Sequence, residues 1–286
     1  MTPLRFAVIG DPVAHSRSPA MQTAAFRALG LPHTYEALRV PPDELPRVIA
    51  ALRAGTYQGL SVTVPHKQSV LALVDELHAS ARAVGAANVL VRSPAGRLVA
   101  HNTDAPALAA ELDRLAGSDT PWSSARALVI GSGGAARAAI AAVAALGVHD
   151  IAVRARSFDD PRRVDAFQRT APAPIVAQAW RPCPESEKET RAVIQATSAG
   201  MNGADPGDAV ADVVSWVDLP TAAIAIDVVY VPRDTPFLRA AQERQLRRDD
   251  GLGMLARQGA LALELWLDAQ REGWKAPLEV MRGALQ

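Results

Sequence analysis

The sequence predicts an α/β protein, and three observations carry that expectation. Short apolar runs alternate with helical patterns along all 286 residues, which is how parallel sheet flanked by helices is written. One run, Arg126 to Ile130, ends in a glycine-rich turn that opens an alanine-rich helix, the βα start of a doubly wound sheet. A polar break, Ala116 to Pro121, separates two such series, and the length suits two domains of ~100–200 residues each.

In the first series, Arg5 to Gly10 is an apolar run closed by glycine, a strand-to-loop signal. Ser18-Pro19 opens a helix to about Leu29, with serine as N-cap and proline at the first helical position. Thr34 to Val40 reads as a strand, and Pro42-Asp43-Glu44 opens a helix that stops near Gly55. Gly59 to Val64 is a strand that Pro65 ends. Helical patterns cover His66 to His78 and Ala79 to Gly85. Val89 to Arg92 and Arg97 to Ala100 form a hairpin around Pro94-Ala95-Gly96, and Thr103 to Leu115 is helical.

The second series begins with the strand Arg126 to Ile130 and a helix ending near Gly147. Ile151 to Val153 is the next strand, followed by a helix around Arg162 to Arg169. Further strands lie near Pro174 to Ala177, Ala192 to Ala196 and Ala222 to Val229. Pro236 to Gln245 is helical, as are Leu255 to Ala269 and a short stretch near Leu278 to Leu285.

Composition narrows the function classes. Apolar residues make up 49% and charged residues 21%, ordinary for a folded domain. Thirty basic residues offset thirty acidic ones, which argues against nucleic acid or an anionic membrane as partner. Cys183 is the lone cysteine, so no intramolecular disulfide and no cysteine-based zinc site is expected. The six histidines show no metal-ligand spacing, and no metal is expected. No apolar run reaches the ~18 residues of a membrane span, and the start reads without a signal peptide. The expectation is a cytoplasmic protein, monomer or homodimer, acting on a small molecule.

Of the thirty basic residues only Lys67, Lys188 and Lys275 are lysines. Arginine stays protonated in proteins, whereas lysine can give up its proton. A lysine within a motif, in a chain that otherwise writes arginine, marks a candidate for proton chemistry.

Gly131-Ser132-Gly133-Gly134-Ala135-Ala136 sits between strand and helix, the context a dinucleotide fingerprint requires. Gly131 serves the tight turn, Gly133 lets backbone approach a pyrophosphate, and Ala136 fills the third, close-packed position. NAD-binding sheets place Asp or Glu ~20 residues on. Here the next strand ends in Arg154-Ala155-Arg156-Ser157. Arg156 suits a 2′-phosphate better than a ribose hydroxyl, so the reading leans to NADP with NAD open.

Three polar clusters stand out in the first half: His15 to Pro19, Ser61 to Lys67, and Asn88 with His101-Asn102-Thr103-Asp104. Singly, each has a bland role: Ser18 as a cap, Asn102 or Thr103 as a cap, Lys67 as surface charge, His66 and His101 as hydrogen-bonding neighbours of the site. Together these hydroxyls, the amide, the lysine and the carboxylate could surround a small polyhydroxylated acid, and a positioned Lys–Asp pair can act as a proton-transfer unit.

Taken in order, the segments Val8 to Pro19, Val62 to Lys67, Gly85 to Leu90, Asn102 to Asp104, the glycine loop, Ala196 to Ser198, Asp227 to Tyr230 and Asp250 to Leu255 resemble the shikimate dehydrogenase family, the shikimate/quinate oxidoreductases. The resemblance covers nearly the whole chain. It implies an α/β substrate domain of residues 1–104, joined by C-terminal helices from 251–286. A Rossmann-like, doubly wound NAD(P)-binding domain would lie between, at 105–250. It also implies reversible, NADP-linked reduction of 3-dehydroshikimate to shikimate, in aromatic amino acid (chorismate) biosynthesis. Carried over residue by residue, Lys67 and Asp104 are the catalytic pair. Ser16 and Ser18 bind the carboxylate, and Thr63, Asn88 and Gln258 the ring hydroxyls, with Ser61 and Tyr230 also at the substrate. Gly131, Ser132, Gly133, Gly134, Ala135, Arg156, Thr197, Val228, Gly253 and Met254 would hold the cofactor.

The departures are specific. Ser61 stands where the family has Asn, His101 where it has Asp, and Gln195 where it has Asn. Ala105 and Ala107 replace glycines, and the N-R-T-x-x-R motif survives only as Ala155-Arg156-Ser157 with a displaced second arginine. Two alternatives therefore stay beside the first reading. One is a quinate/shikimate dehydrogenase-like paralogue using NAD or NADP. The other is a non-catalytic nucleotide-sensing protein, which the intact Lys67 and Asp104 oppose.

Overall fold

The structure, a computed structural model, describes residues 2–117, 122–267 and 274–286. The chain runs β1 (Arg5–Gly10), α1 (Ser18–Ala28), β2 (Thr34–Arg39), α2 (Leu45–Arg53), β3 (Gly59–Val62), β4 (Glu76–Leu77), α3 (Ala79–Val84), β5 (Val89–Arg92), β6 (Leu98–His101) and α4 (Asp104–Ala116). It continues through β7 (Arg126–Ile130), α5 (Gly134–Ala145), β8 (Asp150–Arg154), α6 (Pro161–Thr170), β9 (Val176–Gln178), α7 (Pro184–Glu187), β10 (Thr190–Gln195) and α8 (Asp208–Ala211). The last elements are β11 (Ile224–Asp227), α9 (Pro236–Glu243), β12 (Arg247–Asp249), α10 (Leu252–Leu267) and α11 (Leu278–Gly283). Two compact units result: Met1–Asp104 with Leu255–Gln286, and Ala105–Met254.

The sheet of the first unit has the order β2-β1-β3-β5-β6-β4. β2, β1 and β3 are mutually parallel, while β5 runs antiparallel to both β3 and β6. The hairpin that the sequence marks thus makes this sheet mixed rather than wholly parallel. Alternation along β1 and β3 separates two faces. Ala7, Ile9, Leu60 and Val62 bury with Ile49 and Leu52 of α2. The other face is aromatic: Phe6 lies 5.5 Å from Phe26 of α1 and 5.1 Å from Trp266 of α10, ring to ring. Gly59 makes that packing possible, since a Cβ there would stand 2.2 Å from Trp266 Nε1. The indole N–H donates to the Leu90 carbonyl at 3.0 Å.

The sheet of the second unit is parallel throughout, in the order β12-β11-β10-β7-β8-β9. That is two three-strand halves wound outward from the β7/β10 boundary, and ligands of such sheets bind beyond the strand ends at this reversal. Ala127 and Val129 of β7 bury with Ile140 and Val143 of α5, and Leu128 and Ile130 bury on the opposite face with Phe237 and Leu238 of α9.

Several expectations are corrected. Ser18 is the first helical residue and Arg17 takes the cap position without a side-chain bond, since a guanidinium carries no acceptor; Ser18 N–H instead meets Ser16 Oγ at 3.3 Å. The helix from Pro42 is one 3-10 turn, Pro42–Glu44, followed by α2. Residues 66–78 are not a helix but a 3-10 segment, Ser69–Leu73, followed by β4. Asp75 explains the break: its N–H bonds Leu98 O and its carboxylate receives Leu98 N–H, tying the chain to β6. The final residues expected for α10, 268–269, and most of the expected break, 118–121, lie outside the described residues. No helix among the described residues is long and apolar enough to cross a membrane.

Candidate functional site

Strand ends and helix starts gather one polar cluster in the first unit. Lys67 lies in the turn after β3, and Asp104 is the first residue of α4. Lys67 Nζ donates to Asp104 Oδ2 at 2.6 Å, with the two side chains 15% and 5% exposed. Asn88, just before β5, is buried and holds the carboxylate from the other side. Its amide nitrogen stands 2.9 Å from Asp104 Oδ1, 2.9 Å from Thr103 Oγ1 and 3.1 Å from Gln258 Oε1. Its oxygen accepts Thr103 N–H at 2.7 Å. Thr103 Oγ1 in turn donates to the Gln258 carbonyl on α10 at 3.0 Å. The ammonium therefore has a fixed counter-ion, whose second oxygen is fixed by an amide. An arrangement of this kind can orient a lysine for proton transfer.

The neighbouring histidines are structural. His66 is buried with Nε2 2.6 Å from the Val40 carbonyl. His101 stacks on His78 at 4.5 Å between ring centroids. Burial, and then the neighbouring His78, push its pKa down to about 4, so it is neutral at physiological pH and brings no charge to Asp104.

Ser16 and Ser18 form a second polar pair at the start of α1. Ser16 Oγ accepts from Ser18 N–H, which leaves its own O–H to donate. Arg17 between them is anchored, Nη1 to the Leu285 carbonyl, at 2.8 Å. Ser61 is buried and accepts from Tyr35 Oη at 2.7 Å. Thr63 is half-buried two residues on. Thr103 is thus a member of the Lys67–Asp104 cluster and Tyr35 the partner of Ser61, roles that sequence reasoning did not assign. Thr103 sits within a motif already quoted, while Tyr35 meets Ser61 only through strand pairing.

In the second unit, Gly131 closes β7 with φ +126°, a value L side chains rarely adopt, and a Cβ there would stand 2.9 Å from the Ala196 carbonyl and 3.1 Å from Thr197 Cγ2. Its N–H bonds the Arg154 carbonyl at 2.8 Å. Gly133 caps α5, and a Cβ there would meet nothing within 4 Å. The first N–H groups of α5, which begins at Gly134 and Ala135, have no partner within the helix. Ser132 Oγ lies 3.2 Å from Ser157 Oγ. Arg156 is exposed beyond β8, 3.0 Å from Asp205 and 5.8 Å from the Trp180 ring centroid. Arg137 is turned away, both Nη atoms 2.7 Å from the Thr170 carbonyl. Open glycine backbone, free helix-start donors and an exposed arginine at the sheet's reversal fit a phosphorylated dinucleotide.

Val228 and Tyr230 follow β11, whose last residue, Asp227, is fully buried. Asp227 accepts Val229 N–H at 2.9 Å and Thr235 O–H at 2.7 Å, so it shapes the loop that carries both. Val228 and Met254 pack on the β7–α5 core. Gly253 abuts buried Glu111, whose carboxylate would lie 2.6 Å from an added Cβ. Burial pushes the Asp227 carboxyl up to about 7, against its hydrogen bonds and with Asp250 adding to it. The folded chain then holds a proton there that the unfolded chain releases near pH 4. This contribution is complete below about pH 4 and is lost as pH rises through about 7. Relative to Asp227→Asn, which keeps an acceptor for Val229, the wild type is expected to lose stability between about pH 4 and pH 7. Denaturant midpoints of the two proteins measure this, and parallel curves would refute it.

Comparison with known proteins finds relatives over nearly the whole chain. A family model described as the shikimate dehydrogenase substrate binding domain matches residues 8–90. The shikimate dehydrogenase (NADP(+)) of Methylobacterium radiotolerans is 40% identical over 266 residues, covering 93% of this chain and 91% of its own length. Shikimate 5-dehydrogenase from Thermus thermophilus, solved in complex with NADP(H) and shikimate, superimposes with a TM-score of 0.81 at 35% identity, covering 99% of this chain and 98% of that one. Quinate dehydrogenase from Corynebacterium glutamicum, solved in complex with NAD, superimposes with a TM-score of 0.82 at 25% identity, covering 99% of each chain. Fold alone does not separate these two activities, but sequence identity at this level over nearly the full length does settle kinship: the chain belongs to the shikimate dehydrogenase family.

Proposed function

We propose that this chain reversibly reduces 3-dehydroshikimate to shikimate with NADP, the first unit binding the acid and the second the dinucleotide. The observation that carries it is the 2.6 Å Lys67–Asp104 pair fixed by Asn88. When bound, the nicotinamide supplies or takes the hydride. Lys67 gives a proton to the ketone oxygen in the reducing direction and takes it from the hydroxyl in the other. Asp104 holds the Lys67 nitrogen in place in both states and balances its charge while it is protonated. Asn88, whose hydrogen bonds turn to Asp104, Thr103 and Gln258, acts by orienting this pair. Ser16 and Ser18 supply hydroxyls for the carboxylate of the acid, with Thr63 and Gln258 of the same unit toward the ring. Gly131, Gly133 and the first N–H groups of α5 would hold the pyrophosphate, Ser132 and Thr197 flank it, and Arg156 takes the 2′-phosphate. Val228, Gly253 and Met254 line the nicotinamide end.

A second reading, a paralogue with altered specificity, is favoured by the Ser61–Tyr35 bond at a position where the family has an amide. Initial rates with shikimate or quinate, each with NADP+ or NAD+, decide between them. Turnover confined to shikimate with NADP+ is expected. Faster turnover with quinate selects the second reading, and no turnover with either acid rejects both.

A further inference from the structure

Arg156 does not stand alone at the tip of β8. Its Nη1 lies 3.0 Å from Asp205 Oδ2, a residue 49 positions further along the chain. The topology joins them, because the loops after β8 and β10 leave the same edge of the parallel sheet on either side of β7. Asp205 is firmly placed. Its Oδ1 accepts Gly207 N–H at 2.9 Å and its carbonyl accepts Gly200 N–H at 2.7 Å. Both glycines have positive φ, +98° and +86°, so the loop is shaped to present this carboxylate. The Gly207 N–H, and then Arg156, hold the carboxyl below its ordinary range, and it is charged at neutral pH. The pair is half-open to solvent, the side chains 58% and 35% exposed.

We propose that Asp205 is a specificity-determining residue for the dinucleotide: by occupying Arg156 it narrows the preference for NADP over NAD. The inference rests on the reading of Arg156 as the 2′-phosphate cation. A phosphate arriving at Arg156 must share the guanidinium with a carboxylate the chain already supplies, and the two anions repel. A ribose bearing a 2′-hydroxyl brings no charge and offers a donor that a carboxylate accepts. One residue thus opposes one ligand while suiting the other. Because exposed ion pairs are weak and screened, the effect is a matter of several-fold rather than exclusion.

Asp205→Asn removes the charge and keeps an acceptor for Gly207. Dissociation constants for NADP+ and NAD+ are measured by calorimetric titration on wild type and variant, at low and high salt. NADP+ is expected to bind the variant about three- to tenfold more tightly, with NAD+ unchanged or weaker. The gain should shrink at high salt. An unchanged ratio of the two constants, or equal tightening of both dinucleotides, overturns the proposal. A wild-type chain that binds neither dinucleotide overturns the proposed function itself, and this inference with it.

Discussion

Lys67→Met is expected to lower turnover by ~10²–10⁴-fold, the usual contribution of a positioned acid–base group. Methionine keeps much of the length and loses the proton. Dissociation constants for the dinucleotide should not change, since Lys67 lies in the first unit and the glycine loop in the second. The same substitution leaves Asp104, 5% exposed, without its cation. Asn88 still donates to it, so the stability cost is ~1–3 kcal/mol, that of one lost charge-assisted bond. The double variant Lys67→Met/Asp104→Asn separates the two effects. It should recover stability in urea unfolding and recover no turnover. Near-normal turnover of Lys67→Met would reject the mechanism.

The largest stability effect is expected at a pair remote from the reacting groups. Arg154, at the end of β8, and Glu187, on α7, are both fully buried. The guanidinium meets the carboxylate through two bonds, 2.6 Å and 3.1 Å. Gln178 Oε1 accepts from Nε and Nη2 at 2.9 Å and 2.7 Å, and Ser215 N–H donates to Glu187 at 3.2 Å. Removing one partner strands the other charge in the core. Glu187→Ala is therefore expected to cost ~3–5 kcal/mol, whereas Arg154→Met/Glu187→Met, which removes both charges, should recover most of that loss. Equal destabilisation of single and double variants in urea unfolding would contradict this account. The Arg154 carbonyl holds Gly131 N–H, so Glu187→Ala should weaken dinucleotide binding as well.

Much of this was legible in the sequence because the relevant signals are local. The β7 run, the glycine turn and α5 follow one another without interruption, and Lys67 stood out against a background of arginine. What was not legible depends on partners distant in sequence. Residues 66–78 carry helical spacing, yet Asp75 is captured by β6. β12 reads Arg247-Arg248-Asp249, with no apolar residue to mark it, and exists as an edge strand because β11 offers a ladder. Asp205 looked like any loop acid until the sheet placed it against Arg156. Tyr35 meets Ser61 across β1, where their partners Phe6 and Val8 stand two residues apart and so share one face of the sheet.

The first unit is assembled from both ends of the chain, Met1–Asp104 and Leu255–Gln286, and this sets an order of events during synthesis. The parallel sheet of the second unit is complete in sequence before α10 has left the ribosome. The nascent first unit must meanwhile wait with Phe6, Tyr35 and Gly59 uncovered, since Trp266, which closes over them, is made after the whole of the second unit. Closing a loop of that length slows folding more than it weakens the folded state. A chain that stops before residue 255 would thus hold every strand of the second sheet while lacking Gln258, the partner of Asn88, and Trp266, the cover of Phe6.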